Sequence, residues 1–256
     1  MLQTLKNIFS VKDIRKKIII TIFILLLFRL GCFITVPGVN KTLFMQQVGS
    51  AANGFISTIN LISGGAFSRL SIFAMTIGPY ITASIVLNLL QVVIPSLEKL
   101  AREGEEGKKK LAKYTKYITI ALAIVEGLGL YITYRAYLLA PLRTGAGAVM
   151  GCLLFIVSLV AGTALLTWLG DKITEYGIGN GISLIVFVGI ISRIPAGATA
   201  LYDYAVGGLT NVLVVALLII AMIVVIAGVI YVQKAERKIP VNYAKRVVGR
   251  KMYGGQ

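Results

Sequence analysis

Residues Gly54–Pro95 read GFISTINLISGGAFSRLSIFAMTIGPYITASIVLNLLQVVIP, and their reading decides the fold. The first half is too broken to cross a bilayer: Gly64 and Gly65 interrupt it, and Ser68-Arg69 follows. Only then does a long apolar run begin, Ser71–Ile94, closed by Pro95. Irregular backbone at membrane depth is tolerated only where protein or a water-filled cavity surrounds it. The stretch therefore predicts a cavity within the membrane, with a short mobile segment inside it.

Working outward, the rest of the chain agrees with a membrane setting. Of 256 residues, 57% are hydrophobic and only 14% charged, against roughly 25% charged in soluble domains. Mean hydropathy is +0.85. Apolar runs about the length that crosses a bilayer core as a helix recur, at Ile18–Val36, Ser71–Ile94, Ile118–Tyr134, Ala148–Leu169, Ile182–Ile194 and Asn211–Val232. The expectation is an all-α polytopic membrane protein with six spans, Pro79 kinking the second and the fifth a short one with Pro195 after it. The first run is read as a retained span, because Pro37-Gly38-Val39-Asn40 after it is no small-x-small cleavage site. Residues 1–17 form an amphipathic basic head.

Orientation follows from the cations, since cytoplasmic loops are enriched in Lys and Arg near span ends. With the N-terminus inside, twenty cations lie on the inner side and five on the outer: Lys41, Arg69, Arg135, Arg143 and Arg193. Both ends of this chain are expected to be cytoplasmic, in a plasma membrane. Arg29 and Glu126 lie inside spans. Charges there are expensive, so each should face protein or water and find a partner. Cys32 and Cys152, both in apolar runs, read as small packing residues.

The chemistry of an enzyme is missing. With no His in the chain, there is no His-based metal site, no Ser-His pairing and no usual proton relay. Gly104-Glu-Glu-Gly107-Lys108 is too short for a phosphate loop, and Gly177-Ile-Gly179-Asn180-Gly181 lacks the preceding strand of a dinucleotide fingerprint. No cofactor, metal or catalytic residue is expected.

Spacing offers one further signal. Ile81 and Ile85, four apart, share a helix face, as do Ile182 and Val186 just after Asn180-Gly181. Polar Asn88 and Gln91 lie on the same span as the first pair. Branched apolar side chains at such positions can line a dry constriction; the plainer reading is that they face lipid or a neighbouring helix.

Several blocks together resemble the SecY family, the channel subunit of the bacterial protein-conducting translocon. They are ITVPGVN at Ile34–Asn40, INLISGGAFSRLSIFAMTIGPYITASIVLNLL at Ile59–Leu90, EGEEGKKKLAKYTKY at Glu103–Tyr117, ITEYGIGNGISLIVFVGI at Ile173–Ile190 and QKAERKIPVNYAKR at Gln233–Arg246. The resemblance implies that about Phe55–Leu70 is a re-entrant plug that seals a channel from outside, including Ile59, Asn60, Leu61, Ile62, Gly64, Gly65, Phe67 and Arg69. It implies that Ile81, Ile85, Ile182 and Val186 contribute to an apolar pore ring. It also implies that the basic loop 233–256, with Lys245, Arg246, Arg250 and Lys251, meets the motor ATPase SecA or the ribosome, whose RNA is an anionic partner. SecE, SecG, a secretory polypeptide and membrane lipid complete the implied partners. The family has ten spans, so residues 18–205 would be the N-terminal half of a clamshell and 211–232 the first helix of the other half. The remaining gate and pore residues would lie outside this chain.

A solute or ion transporter using Arg29 and Glu126 is the competing function, and a poreless membrane scaffold a third. A scaffold does not need the Gly64-Gly65 break.

Overall fold

The computed structural model describes residues 11–50, 54–143, 145–236, 246–248 and 251–253. The chain divides into two compact units, Met1–Pro195 and Ala196–Gln256.

The first unit is a helical bundle. Helix α1 (Lys12–Gly31) begins within the expected basic head and carries Arg29 in its last turn, a sign that suits the C-terminal end of the helix dipole. Helices α2 (Lys41–Ser50) and α3 (Gly54–Ile62) follow. A single 3-10 turn at Phe67–Arg69 leads into further turns. Helix α4 (Gly78–Val93) and helix α5 (Pro95–Arg102) meet at a bend of 103°. Three more helices complete the unit: α6 (Glu105–Tyr134), α7 (Ala146–Tyr176) and α8 (Gly181–Ile191). Helix α4 packs on α6, α6 on α7 and α7 on α8, while α1 lies against α7 and α8 and α3 rests on α8.

Close approach explains the packing. A Cβ on Gly162 would strike the Ile72 carbonyl, and one on Gly181 would strike the Gly170 carbonyl. Small residues let backbones meet in this way where lipid provides no hydrophobic drive between helices. Thr115, Thr119 and Thr167 are buried and return their hydroxyls to the carbonyls of Leu111, Thr115 and Thr163 at 2.7–3.0 Å. No buried hydroxyl among these three is left without an acceptor.

Two expectations for the second apolar run are corrected. Its first seven residues, Ser71–Ile77, are turns rather than helix, and Pro79 sits in the first turn of α4 instead of kinking it. Proline is tolerated there because that N–H has no helical partner. The turns are held by pairing with the end of the first run: Val36 N–H donates to Leu70 O and Ile72 N–H to Ile34 O, both at 2.9 Å. The polar stretch 170–176 beyond the fourth apolar run continues α7 to Tyr176, so the turn before α8 is only Gly177–Asn180.

The second unit, taken by itself, holds helix α9 (Ile194–Val206) for most of its length and helix α10 (Leu209–Gln233). The expected loop Ala196–Thr210 is therefore mostly helical. Pro195 again falls in a first turn, where it starts a helix as readily as it ends one. Helix α10 is apolar on every side, as a lipid-facing span requires. Strands β1 (Arg246–Val248) and β2 (Lys251–Tyr253) pair antiparallel.

Among the described residues, four helical stretches are long and apolar enough to cross a membrane, or five if the bent α4–α5 pair is one span. Helix α1 is not among them, because its early turns hold Lys12, Asp13, Arg15, Lys16 and Lys17. The architecture is that of an all-α polytopic membrane protein.

Candidate functional site

The glycine-broken segment is a folded object with its own hydrogen bonds. Asn60 organises it: its carbonyl accepts from Gly65 N–H at 2.9 Å, and its side-chain Oδ1 accepts from Ser68 N–H at 3.1 Å. Ser63 Oγ donates to Asn60 O at 3.1 Å and accepts from Phe67 N–H at 3.2 Å. Gly64 and Gly65 stand at φ 62° and 89°, a region that side chains with a Cβ rarely adopt. Leu70 and Thr76 also have positive φ, at 43° and 53°. Thr76 is β-branched, so its conformation is strained and must be held by its surroundings.

The segment sits on α8 and in an aromatic nest. A Cβ on Gly189 would lie 2.7 Å from Ile62 O, and one on Gly64 would lie 2.9 Å from Gly189 O. Neither position has room for a side chain. Phe67, 4% exposed, meets Phe44 edge-on at 6.5 Å and Tyr134 at 6.0 Å. Phe44 in turn touches Tyr134 and Tyr137 at 5.1 and 5.6 Å. Edge-to-face geometry suits the ring quadrupoles.

Beside the segment lies a cavity of about 650 Å³. Ile59, Ile62 and Phe67 wall it on one side, Ile81 on α4 and Val186 on α8 on another, and Glu126 on α6 opens onto it. The structure thus brings Ile81 and Val186 of the four candidate ring positions to one cavity. Ile85 is exposed on α4 outside that lining, and Ile182 is partly buried, with its side chain close to Gly170. Leu61 is exposed.

The polar candidates are placed as follows. Arg29 Nη1 donates to Gly64 O at 2.7 Å, tying α1 to the segment. Arg69 lies with its guanidinium 4.3 Å from the centre of the Phe33 ring, and Arg29 lies 5.4 Å from the same ring. Asn180 caps α8, its Oδ1 accepting from Ile182 and Ser183 N–H at 3.0 and 3.2 Å, the ordinary work of an N-cap. Asn88 and Gln91 bond each other at 3.4 Å and border a surface hollow with Glu98 and Arg102. Of the basic loop, Lys245 and Arg250 lie outside the described residues, while Arg246 and Lys251 begin the paired strands. Sequence reasoning missed Arg193, which it counted only as an outer cation. Its guanidinium stands 3.1 Å from where a Cβ on Gly65 would be.

The pattern of the SecY family matches residues 71–256. This chain belongs to the SecY family. Among relatives, the protein translocase subunit SecY of Halalkalibacterium halodurans is 45% identical over 264 residues, covering all of this chain and 60% of the relative. That of Thermotoga maritima is 41% identical, covering all of this chain and 59% of the relative. The SecY-family chain thus spans about 60% of the length of the curated relatives it matches. Its fold is similar to a solved protein-conducting channel, at TM-score 0.62 and 21% identity, covering 94% of this chain and 52% of the other. It is also similar to Sec61 in a canine ribosome-channel complex from the endoplasmic reticulum, at TM-score 0.61 and 23% identity over 89% and 49% of the two chains.

Family and geometry together leave the transporter alternative without support. No ion pair joins Arg29 to Glu126 among the described residues, and Arg29 is bonded to a backbone carbonyl. The relatives named above are translocase subunits, a role that is not enzymatic.

Proposed function

We propose that this SecY-family chain supplies the N-terminal part of a protein-conducting channel, in which about Phe55–Leu70 is the plug. The observation that carries the reading is the shared cavity: Ile59, Ile62 and Phe67 of the segment face the same space as Ile81 and Val186. A segment with its own fold, seated on glycines and an aromatic nest, can leave as a body without unfolding the helices around it. The space it seals then opens along branched apolar side chains. Such a constriction passes a polypeptide while resisting ions, because a narrow apolar ring dewets.

In this reading Ile85 and Ile182 join Ile81 and Val186 in the ring once the rest of the channel is present. Six spans cross the plasma membrane with both ends of this chain cytoplasmic, an orientation supported by the twenty-to-five split of cations. Residues 1–17 form the basic head, 18–205 the N-terminal half, 211–232 the sixth span and 233–256 a basic loop. Lys245, Arg246, Arg250 and Lys251 in that loop meet SecA or ribosomal RNA. The ribosome-bound state of a structural relative supports such a partner. SecE and SecG are the small subunits, and the substrates are unfolded secretory chains and membrane segments.

The test is site-specific crosslinking. A cysteine at Ile81 or Val186 in the protein, assembled with its partners, crosslinks to a stalled secretory polypeptide, while one at the exposed Phe187 does not. Crosslinks from Phe187 equal to those from Ile81 refute the pore assignment.

A further inference from the structure

The ends of two helices and the broken segment bring three arginines together without an acid. Arg29 lies in the last turn of α1, Arg193 just beyond the end of α8, and Arg69 in the 3-10 turn between them. Arg29 and Arg69 share the Phe33 ring, and the Arg193 guanidinium lies against Gly65, the neighbour of the Gly64 whose carbonyl Arg29 holds. Arg29 has one carbonyl partner. Arg69 Nη1 and Arg193 Nε are shut off from solvent and have no acceptor among the described residues. Such donors carry a full desolvation cost unless something meets them.

The first unit offers no carboxylate to do so. The chain has ten acids. Asp13 opens α1, Glu98, Glu103, Glu105 and Glu106 surround the start of α6, Asp171 and Glu175 lie near the end of α7, and Glu126 faces the cavity. Asp203 and Glu236 belong to the other unit. Among the described residues, no ion pair involves any of the three arginines. The C-terminal ends of α1 and α8 contribute about half a negative charge each. Against three guanidinium charges, roughly two positive charges remain unmet.

We infer that Arg29, Arg69 and Arg193 bind a tetrahedral oxyanion of the phosphate type. Planar guanidinium forks match such oxygens in pairs, and phosphate carries about the charge that is missing. The oxygens accept from Arg69 Nη1 and Arg193 Nε, the two orphaned donors. Because Arg29 also holds Gly64 O, the anion ties α1, α8 and the broken segment into one unit. The source is either free inorganic phosphate or the headgroup of an anionic lipid. The inference rests on these side chains alone and stands whether or not the segment seals a channel.

The test is equilibrium binding of isotope-labelled inorganic phosphate to the protein purified in detergent, at constant ionic strength. Saturable binding of one phosphate per chain is expected, displaced by sulfate and weakened about tenfold or more in both Arg69→Gln and Arg193→Gln. Arg135→Gln, which alters an exposed arginine away from the cluster, leaves it unchanged. Arg193→Lys, with gel filtration of each variant, guards against misfolding: the charge-keeping variant folds and binds more weakly. Repeating the measurement in phosphatidylcholine vesicles with and without phosphatidylglycerol separates the sources. Competition by the anionic lipid assigns the headgroup, and indifference to it assigns the free ion. Absence of saturable binding, or binding that neither glutamine variant weakens, overturns the site and leaves the charge to a carboxylate elsewhere in the protein.

Discussion

Truncating Phe67 to alanine tests the seat of the broken segment most directly. The ring is 4% exposed and meets Phe44 and Tyr134 edge-on at 6.5 and 6.0 Å. Removing a buried phenylalanine costs about 3–5 kcal/mol. In the unseated state that the proposed function requires, the ring has lost these contacts, so most of that cost falls on the seated state alone. Taking about 3 kcal/mol, the seated-to-unseated ratio drops by about two orders of magnitude. The assay is ion leak through the resting protein in vesicles, with Phe187→Ala as control, since Phe187 is 56% exposed on α8 and should be silent. Leak in Phe67→Ala should exceed the control by tens of fold. The Phe44→Ala double variant should fall short of additivity by about 0.5–1.5 kcal/mol, the worth of one aromatic pair. A leak within about threefold of the control, in a variant that folds and inserts normally, refutes the claim that this seat holds the segment closed.

Three further outcomes are expected. Gly65→Ala should raise the resting leak and lower thermal stability by about 1–3 kcal/mol, because φ is 89° and the new methyl meets the Arg193 guanidinium; unchanged leak and unfolding would count against the tight fit. Asn180→Ala should lower stability by about 1 kcal/mol through loss of the α8 cap, measured by thermal unfolding, without raising leak. Gly181→Val should disrupt the α7–α8 contact, since any Cβ there strikes the Gly170 carbonyl; normal expression and an unchanged melting curve would disprove the close approach.

The broad outline of this fold was legible because hydropathy reports the solvent directly. Helix α10 reads as a span because every side of it is apolar, and the break at Gly64-Gly65 is visible because only glycine takes those φ values easily. The second apolar run misled for a physical reason. Phe73, Ala74 and Ile77 are as apolar as any span, but they are buried in protein and not exposed to lipid, and hydropathy cannot tell those two surroundings apart. The backbone at the start of this run is freed from the helix by pairing with Ile34–Val36, a partner distant in sequence. Pro79 misled similarly, since a proline marks a helix start as well as a kink. At the site, spacing brought Ile81 and Ile85 to one face but could not show that Val186 joins Ile81 across the bundle. The meeting of Arg29, Arg69 and Arg193 was invisible for the same cause: three cations far apart in the chain carry no local pattern.

The paired strand-like contact between Ile34–Val36 and Leu70–Ile72 has a mechanical consequence. It pins one end of the broken segment to the rim of α1, as a hinge pins a door to its frame. If the segment swings aside as proposed above, this pairing keeps its Leu70 end beside the end of α1. Its return would be intramolecular in any case, because the segment belongs to the same chain; what the pairing adds is a shorter free length to close, and so a smaller entropy cost of return.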